Sequence, residues 1–263
     1  MSPFEQFLFL GSIGLNVWLY GPLLNLPGHQ SRKPHLLDLL PMVLLLVYAA
    51  GLWLLLTYGA DIYVRNSILW RIFYVLLGGV WISLSVKLFA GLGLDLHAAV
   101  VDRRNLPEAF AAAAAVLASG LGFAGANLGD GPGWWVVVYT ASLTTAALVL
   151  CWTLLATFTP IRQRALLDRD PAAAARLSGE LIALGLVFGR AAAGDWTSVT
   201  ATNFEFAEIA WPALPALVLM VLGEWFLHAA AGEEPEGPAG TGLPVALLWV
   251  GAAGFWLLQV GPW

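Results

Sequence analysis

Long apolar runs follow one another along almost the whole chain, each of the length a helix needs to cross a bilayer. Their approximate limits are 6–26, 37–58, 68–93, 106–127, 133–158, 172–193, 206–229 and 242–260. A bilayer core takes about 20 consecutive apolar residues per helix. Inside it the backbone must satisfy its own hydrogen bonds, so only helices or closed barrels span it. Barrel strands are short and alternate apolar with polar side chains, whereas these runs are unbroken. The expected fold is therefore all-α: a polytopic transmembrane helical bundle of about eight spans, forming a single membrane domain. Charge supports this. Asp, Glu, Lys and Arg make up 11% of the chain, and a soluble domain carries about 25%. The first run starts near Phe7 with no basic residue ahead of it, which reads as a first span and not as a cleaved leader. The acidic connection "GEEPEGPAGTG", Gly232 to Gly242, sets the C-terminal region 242–263 apart from the rest.

Sidedness follows from basic residues in short loops. Arg32, Lys33, Arg103, Arg104, Arg162, Arg164 and Arg169, with Arg176 just inside the sixth span, lie on one side. Arg65, Arg71 and Arg190 lie on the other. The first group marks the cytoplasmic side and places both termini outward. An excess of arginine over lysine and abundant alanine suit a GC-rich bacterium, so the expected location is a bacterial inner membrane. Trp70, Trp134, Trp135, Trp196, Trp211 and Trp263 fall near span ends, where indole rings anchor at the interface. No basic stripe or zinc spacing points to nucleic acid. The lone Cys151 excludes an internal disulfide. His29, His35, His97 and His228 offer no facing pair for a haem or metal, so no metal or cofactor is expected. No nucleophile elbow, His-Glu-x-x-His or phosphate loop appears, and no catalytic residue can be named.

Two stretches resemble each other. "DRRNLPEAFAAAAAVLASGLGF" begins at Asp102 and "DRDPAAAARLSGELIALGLVFG" at Asp168, a period of 66 residues. Each has an Asp-Arg pair, a turn residue, an alanine-rich helix start and a glycine-rich continuation, then a bulkier span. They divide the chain into a three-span region 1–101 and copies at 102–167 and 168–231. Copies an even number of spans apart share one orientation, so this is a parallel hairpin repeat; "SRKPHLLDLL" stands at the head of a more diverged copy in spans two and three. Small residues recur every fourth position: Ala175, Gly179 and Ala183; Gly185, Gly189 and Ala193; Ala118 and Gly122. Such stripes let helices approach closely. The pattern "NLPEAFAAAAAVLASGLGFAGAN", Asn105 to Asn127, resembles the bacterial membrane family labelled domain of unknown function 350. Its modules pair an Asn-x-x-x-Ala, glycine-rich helix with a second helix, often in tandem. "DPAAAARLSGELIALGLVFG", Asp170 to Gly189, looks like the same module, and the resemblance covers about 102–229. It implies a bacterial inner-membrane protein and brings no established activity.

Ionisable residues within spans are expensive and point to function by default. Lys87, Glu180 and Glu224 lie at similar depth, on the order of 8–12 Å below the cytoplasmic boundary at 1.5 Å per residue. His228 follows Glu224 by one helical turn. These four are the candidate ligand- or ion-binding residues, with Ser83, Ser85 and Ser178 within about a turn. Such a layer serves either to pair helices or to handle a proton or cation. Glu205 and Glu208 share one helix face on the outer side, near Asp195 and Asp130, and form a secondary candidate. Asp38 and Glu108 sit in first turns, where carboxylates favour the helix dipole. Two functions remain open. One is a scaffold or accessory subunit that packs through the stripes against the bilayer, other membrane proteins or a second copy. The other is a small transporter or channel built around Glu180. A lipid-modifying enzyme would need more convergent polar groups than the sequence offers.

Overall fold

A computed structural model describes residues 2–24, 36–131, 133–231 and 237–261. Helix α1 is Pro3–Leu24, α2 Leu40–Tyr58, α3 the single turn Ile62–Arg65, and α4 Ile68–Gly91. They are followed by α5 (Leu106–Gly125), α6 (Trp134–Phe158), α7 (Pro171–Ala192), α8 (Val199–Ala210), α9 (Ala213–Ala231) and α10 (Leu243–Val260). Among the described residues, seven segments are long and apolar enough to cross a membrane: Leu37–Tyr58, Ile68–Gly91, Leu106–Gly125, Trp134–Phe158, Pro171–Ala192, Ala213–Ala230 and Pro238–Val260. The protein is an all-α, multi-pass membrane bundle. The first expected span corresponds to α1, which is not among the seven, and its expected end at 25–26 lies outside the described residues. So do His29, Arg32, Lys33, His35, most of the acidic connection and Trp263.

Helices α5 and α7 form the centre. They run parallel and side by side. At their first ends Asn105 Nδ2 donates to Leu166 O (2.7 Å) and Arg169 Nη2 to Arg103 O (3.2 Å). At their far ends Gly125 meets the Gly189 backbone so closely that a Cβ on Gly125 would enter the Gly189 carbonyl. Ala109, Ala111, Ala112 and Ala115 of α5 and Ala172 and Ala173 of α7 are fully buried. Lipid tails remove most of the hydrophobic drive between helices, so close van der Waals packing of small residues holds such pairs. Helices α4 and α6 flank α5, α2 lies against α4 and α5, and α6, α8 and α10 surround α7. Helix α1 docks on α4 through Asn16, whose Nδ2 donates to Ser12 O (2.7 Å) and Leu76 O (2.9 Å).

The starts of α5 and α7 are built alike. A π-helical turn, Ala98–Asp102 or Gln163–Leu167, leads into each. An arginine with positive φ follows, Arg104 at 49° or Arg169 at 58°. Then comes a capping side chain. Asn105 Oδ1 accepts from Glu108 N, and Asp170 Oδ1 accepts from Ala172 N and Ala173 N. Proline stands in the first turn of both, where its missing N–H is harmless. Each left-handed arginine reaches back to an earlier hairpin: Arg104 pairs with Asp38 at 2.9 Å, and Arg169 bonds Arg103 O. These equivalences place Asn105 opposite Asp170. The two Asp-Arg pairs of the sequence fall one residue off this correspondence, because Arg104 and not Arg103 holds the turn that Arg169 holds.

The seventh expected span, 206–229, is not one helix. Helix α8 begins at Val199 and stops at Ala210, and α9 starts at Ala213. Pro212 lies between them; it offers no N–H and its ring crowds the carbonyl four residues back. At the end of the bundle where α5 and α7 finish, three loops are stitched together. Gly194 N donates to Leu128 O (2.9 Å), Trp196 N to Asp130 O (2.7 Å) and Asp130 N to Asp195 Oδ1 (2.7 Å). Gly129, with φ +101°, also bridges to Ala60, and a Cβ there would strike the Gly194 carbonyl.

Candidate functional site

The two starts of α5 and α7 define one end of the bundle, rich in arginine. Just inside it, α7 carries Arg176 and Glu180 one helical turn apart on the same face. Arg176 is 2% exposed and forms a two-pronged ion pair with Glu224 of α9, itself 2% exposed: Nε to Oε1 at 2.6 Å and Nη2 to Oε2 at 3.1 Å. Its remaining arm, Nη1, donates to Thr241 Oγ1 at 2.8 Å. Bidentate geometry of this kind makes a strong, directional pair. Thr241 lies in the turn Pro238–Gly242 that starts α10. The arginine thus ties three helices together.

Gly179 and Gly242 make room for that junction. A Cβ on Gly179 would collide with the Ala246 backbone, and one on Gly242 would come within 2.7 Å of Ala172 Cα. The second stripe faces the other way: a Cβ on Gly185 would sit 2.6 Å from Ala118 Cα of α5, and one on Gly189 2.8 Å from Leu121 O. Ala175 contributes to the α10 side through its contact with the Gly242 position, and Ala183 is buried. Both stripes of α7 are therefore spent inside the molecule.

Glu180 is 1% exposed, and its Oε2 has no hydrogen-bond partner among the described residues. It lies within electrostatic reach of Glu224 and Arg176. The structure therefore brings together Glu180 and Glu224, as depth alone suggests, but supplies Arg176 as the cation. Lys87 is elsewhere. It projects from the exposed face of α4, with Nζ 5.2 Å from the centre of the Trp18 ring. Similar depth does not place two residues on facing sides of their helices, and Lys87 points away from the bundle interior. His228 is 3.5 Å from Arg164 Nη1, and Arg164 in turn pairs with Asp170 at 2.6 Å, one layer closer to the arginine-rich end. Of the serines, Ser178 and Ser83 bond back to Ala174 O and Gly79 O. Ser85 joins a chain of hydroxyls with Ser119 (2.8 Å) and Thr145 (3.0 Å) between α4, α5 and α6.

The opposite end of the bundle holds a cavity of about 320 Å³ lined by Glu5, Asp61, Trp70, Tyr74, Asn127 and Asp130, among others. The carboxyl groups of Asp61 and Asp130 lie within electrostatic reach of each other. The neighbouring Asp61 carboxyl holds the Asp130 carboxyl above the usual aspartate range. Glu205 and Glu208 do not belong here. Both are exposed on α8, because the break at Pro212 separates them from the membrane-crossing α9. No group of three or more His, Cys, Asp or Glu that could hold a metal ion occurs among the described residues. The chain matches no family model, no curated protein and no solved structure.

Proposed function

We propose that this multi-pass membrane protein handles protons or small monovalent cations at Glu180. One observation carries the reading. A fully buried carboxylate stands beside an ion pair whose guanidinium already donates twice to Glu224 and once to Thr241. One guanidinium facing two carboxylates leaves one negative charge to be balanced by a proton or a cation. In hydrocarbon an unbalanced charge is costly enough that such residues mark ion pathways and proton relays. The Arg176–Glu224 pair fixes the frame, and Glu180 is the group free to change state.

The alternative, an accessory subunit docking through its small-residue stripes, loses its main support, since those stripes meet α5 and α10 of the same chain. A bacterial inner-membrane location and kinship with tandem modules of domain of unknown function 350 are retained as proposals, and neither supplies an activity.

The test is flux in proteoliposomes loaded with a pH-sensitive dye, under imposed proton, sodium and potassium gradients. Wild-type protein is expected to dissipate one of these gradients, and Glu180→Gln to abolish that flux while keeping its gel-filtration profile. A parallel measurement places cysteine at 180 in a Cys151→Ala background and applies a small impermeant thiol reagent from each side. Labelling from one side supports an aqueous path. Absence of both labelling and flux in a well-folded protein sinks the reading and makes Glu180 a packing device.

A further inference from the structure

The cavity at the acidic end has features that the Glu180 site does not explain. Its volume, about 320 Å³, is near the lower end of the roughly 300–1,000 Å³ typical of small-molecule sites. Three carboxylates, Glu5, Asp61 and Asp130, line it, with Asp195 and the Arg65 guanidinium within electrostatic reach of Asp130. Two of the three, Asp61 and Asp130, lie within electrostatic reach of each other.

An acidic cluster alone says little. The second observation is Tyr74. It is 5% exposed, lines the cavity, and lies within electrostatic reach of Glu5 and Asp61. Its hydroxyl makes no hydrogen bond to any described residue, although a buried tyrosine hydroxyl ordinarily finds a partner. Its ring stacks on Trp70, centroids 6.2 Å apart, and Trp70 also lines the cavity. Carboxylates, aromatic rings and an idle hydroxyl around one small volume make the chemistry that recognises an organic ammonium ion: charge from the acids, and cation–π attraction from the rings. The space exceeds what a bare metal ion fills, and no metal-ligating cluster of three occurs among the described residues.

We propose that the cavity bounded by Glu5, Asp61, Trp70, Tyr74, Asn127 and Asp130 binds a small organic ammonium cation from the side of the membrane opposite the arginine-rich end.

The experiment uses the full chain in an uncharged maltoside detergent, with tetramethylammonium chloride as probe and saturation-transfer NMR as readout. Saturable transfer above that of empty micelles, at constant ionic strength, is expected. Asp61→Asn together with Asp130→Asn is expected to weaken it at least about tenfold, Tyr74→Phe to weaken it less, and Glu180→Gln to leave it unchanged. These variants keep the fold within reach. Asparagine at 61 retains the oxygen that accepts from Tyr63 N at the start of α3, and Asp130 is exposed. Thermal unfolding of each variant checks this. No saturable transfer, or transfer that survives the double substitution, overturns the proposal. Loss with Glu180→Gln overturns its independence from the Glu180 site.

Discussion

At the scale of single residues, Glu224 and Glu180 divide structural and chemical work. Glu224 is bound to Arg176 by both oxygens, so Glu224→Ala leaves a guanidinium 2% exposed without its two-pronged hydrogen-bond partner. Breaking a buried pair from one side costs about 3–5 kcal/mol, whereas replacing both members with apolar residues is often neutral. Thermal unfolding in detergent is therefore expected to show a large loss for Glu224→Ala and recovery of most of it in Arg176→Leu with Glu224→Leu. Equal losses in both would contradict a frame made by this pair. Asp130 carries a pH signature. Its carboxyl holds a proton more tightly in the folded protein than in the unfolded chain. The contribution of this group to stability is fully present below about pH 3.8 and is lost as pH rises through the raised value. Asp130→Asn is expected to flatten that slope in a melting series, and ammonium binding is expected to strengthen over the same interval as the proton leaves. The sequence makes Glu180 and Glu224 conspicuous, because a carboxylate inside an apolar run has no routine explanation. It mispairs Lys87, since depth does not reveal which way a helix face points. It hides Arg176 among the arginines that set topology, although its place one turn before Glu180 was the available signal. Glu5 and Asp61 carry no sequence signal, being ordinary charges at the ends of helices.

At the scale of elements, the like-built starts of α5 and α7 and the small-residue stripes decide where helices go. The stripes announce close packing in the sequence, but not that Gly179 meets α10 while Gly185 and Gly189 meet α5, a partition set by opposite faces of one helix. The break at Pro212 was written in the sequence as plainly as the stripes. The apolar run continues through it because hydropathy does not register a missing N–H. Gly125 and Gly14 provide the contrast that tests the packing. A side chain at Gly125 enters the Gly189 carbonyl, whereas nothing lies within 4 Å of a Cβ at Gly14. Overpacking costs about 1–3 kcal/mol and occasionally more. Gly125→Leu is expected to lose at least that in thermal unfolding and Gly14→Leu to lose nothing measurable; similar melting curves would refute the parallel contact of α5 and α7.

At the scale of the whole molecule, apolarity and burial run in opposite directions. Helices α5 and α7 are the least apolar of the seven candidate spans and the most enclosed, at 72% and 78% buried, while the span containing α10 is 6% buried. The sequence shows the first half of that inversion and only packing shows the second. The two ends also differ, one holding the paired arginines and the other the acidic cavity. Cysteines at Arg169 and Asp130, in a Cys151→Ala background, are expected to react with an impermeant reagent from opposite sides of sealed vesicles; reaction of both from one side would reject the bundle as described. The Arg176–Glu224 pair has a consequence in time. Its two members are 48 residues apart, so during synthesis the arginine emerges long before its counter-charge. Until α9 is made, Arg176 has only Glu180 of its own helix as a counter-charge and lacks its two-pronged partner, so α7 is expected to rest at the surface of the bilayer, where that side chain stays wet. The arrival of Glu224 lets it sink. Insertion of the seventh helix is thereby coupled to completion of the ninth, and a nascent chain cut short between them holds its most enclosed helix at the membrane's edge.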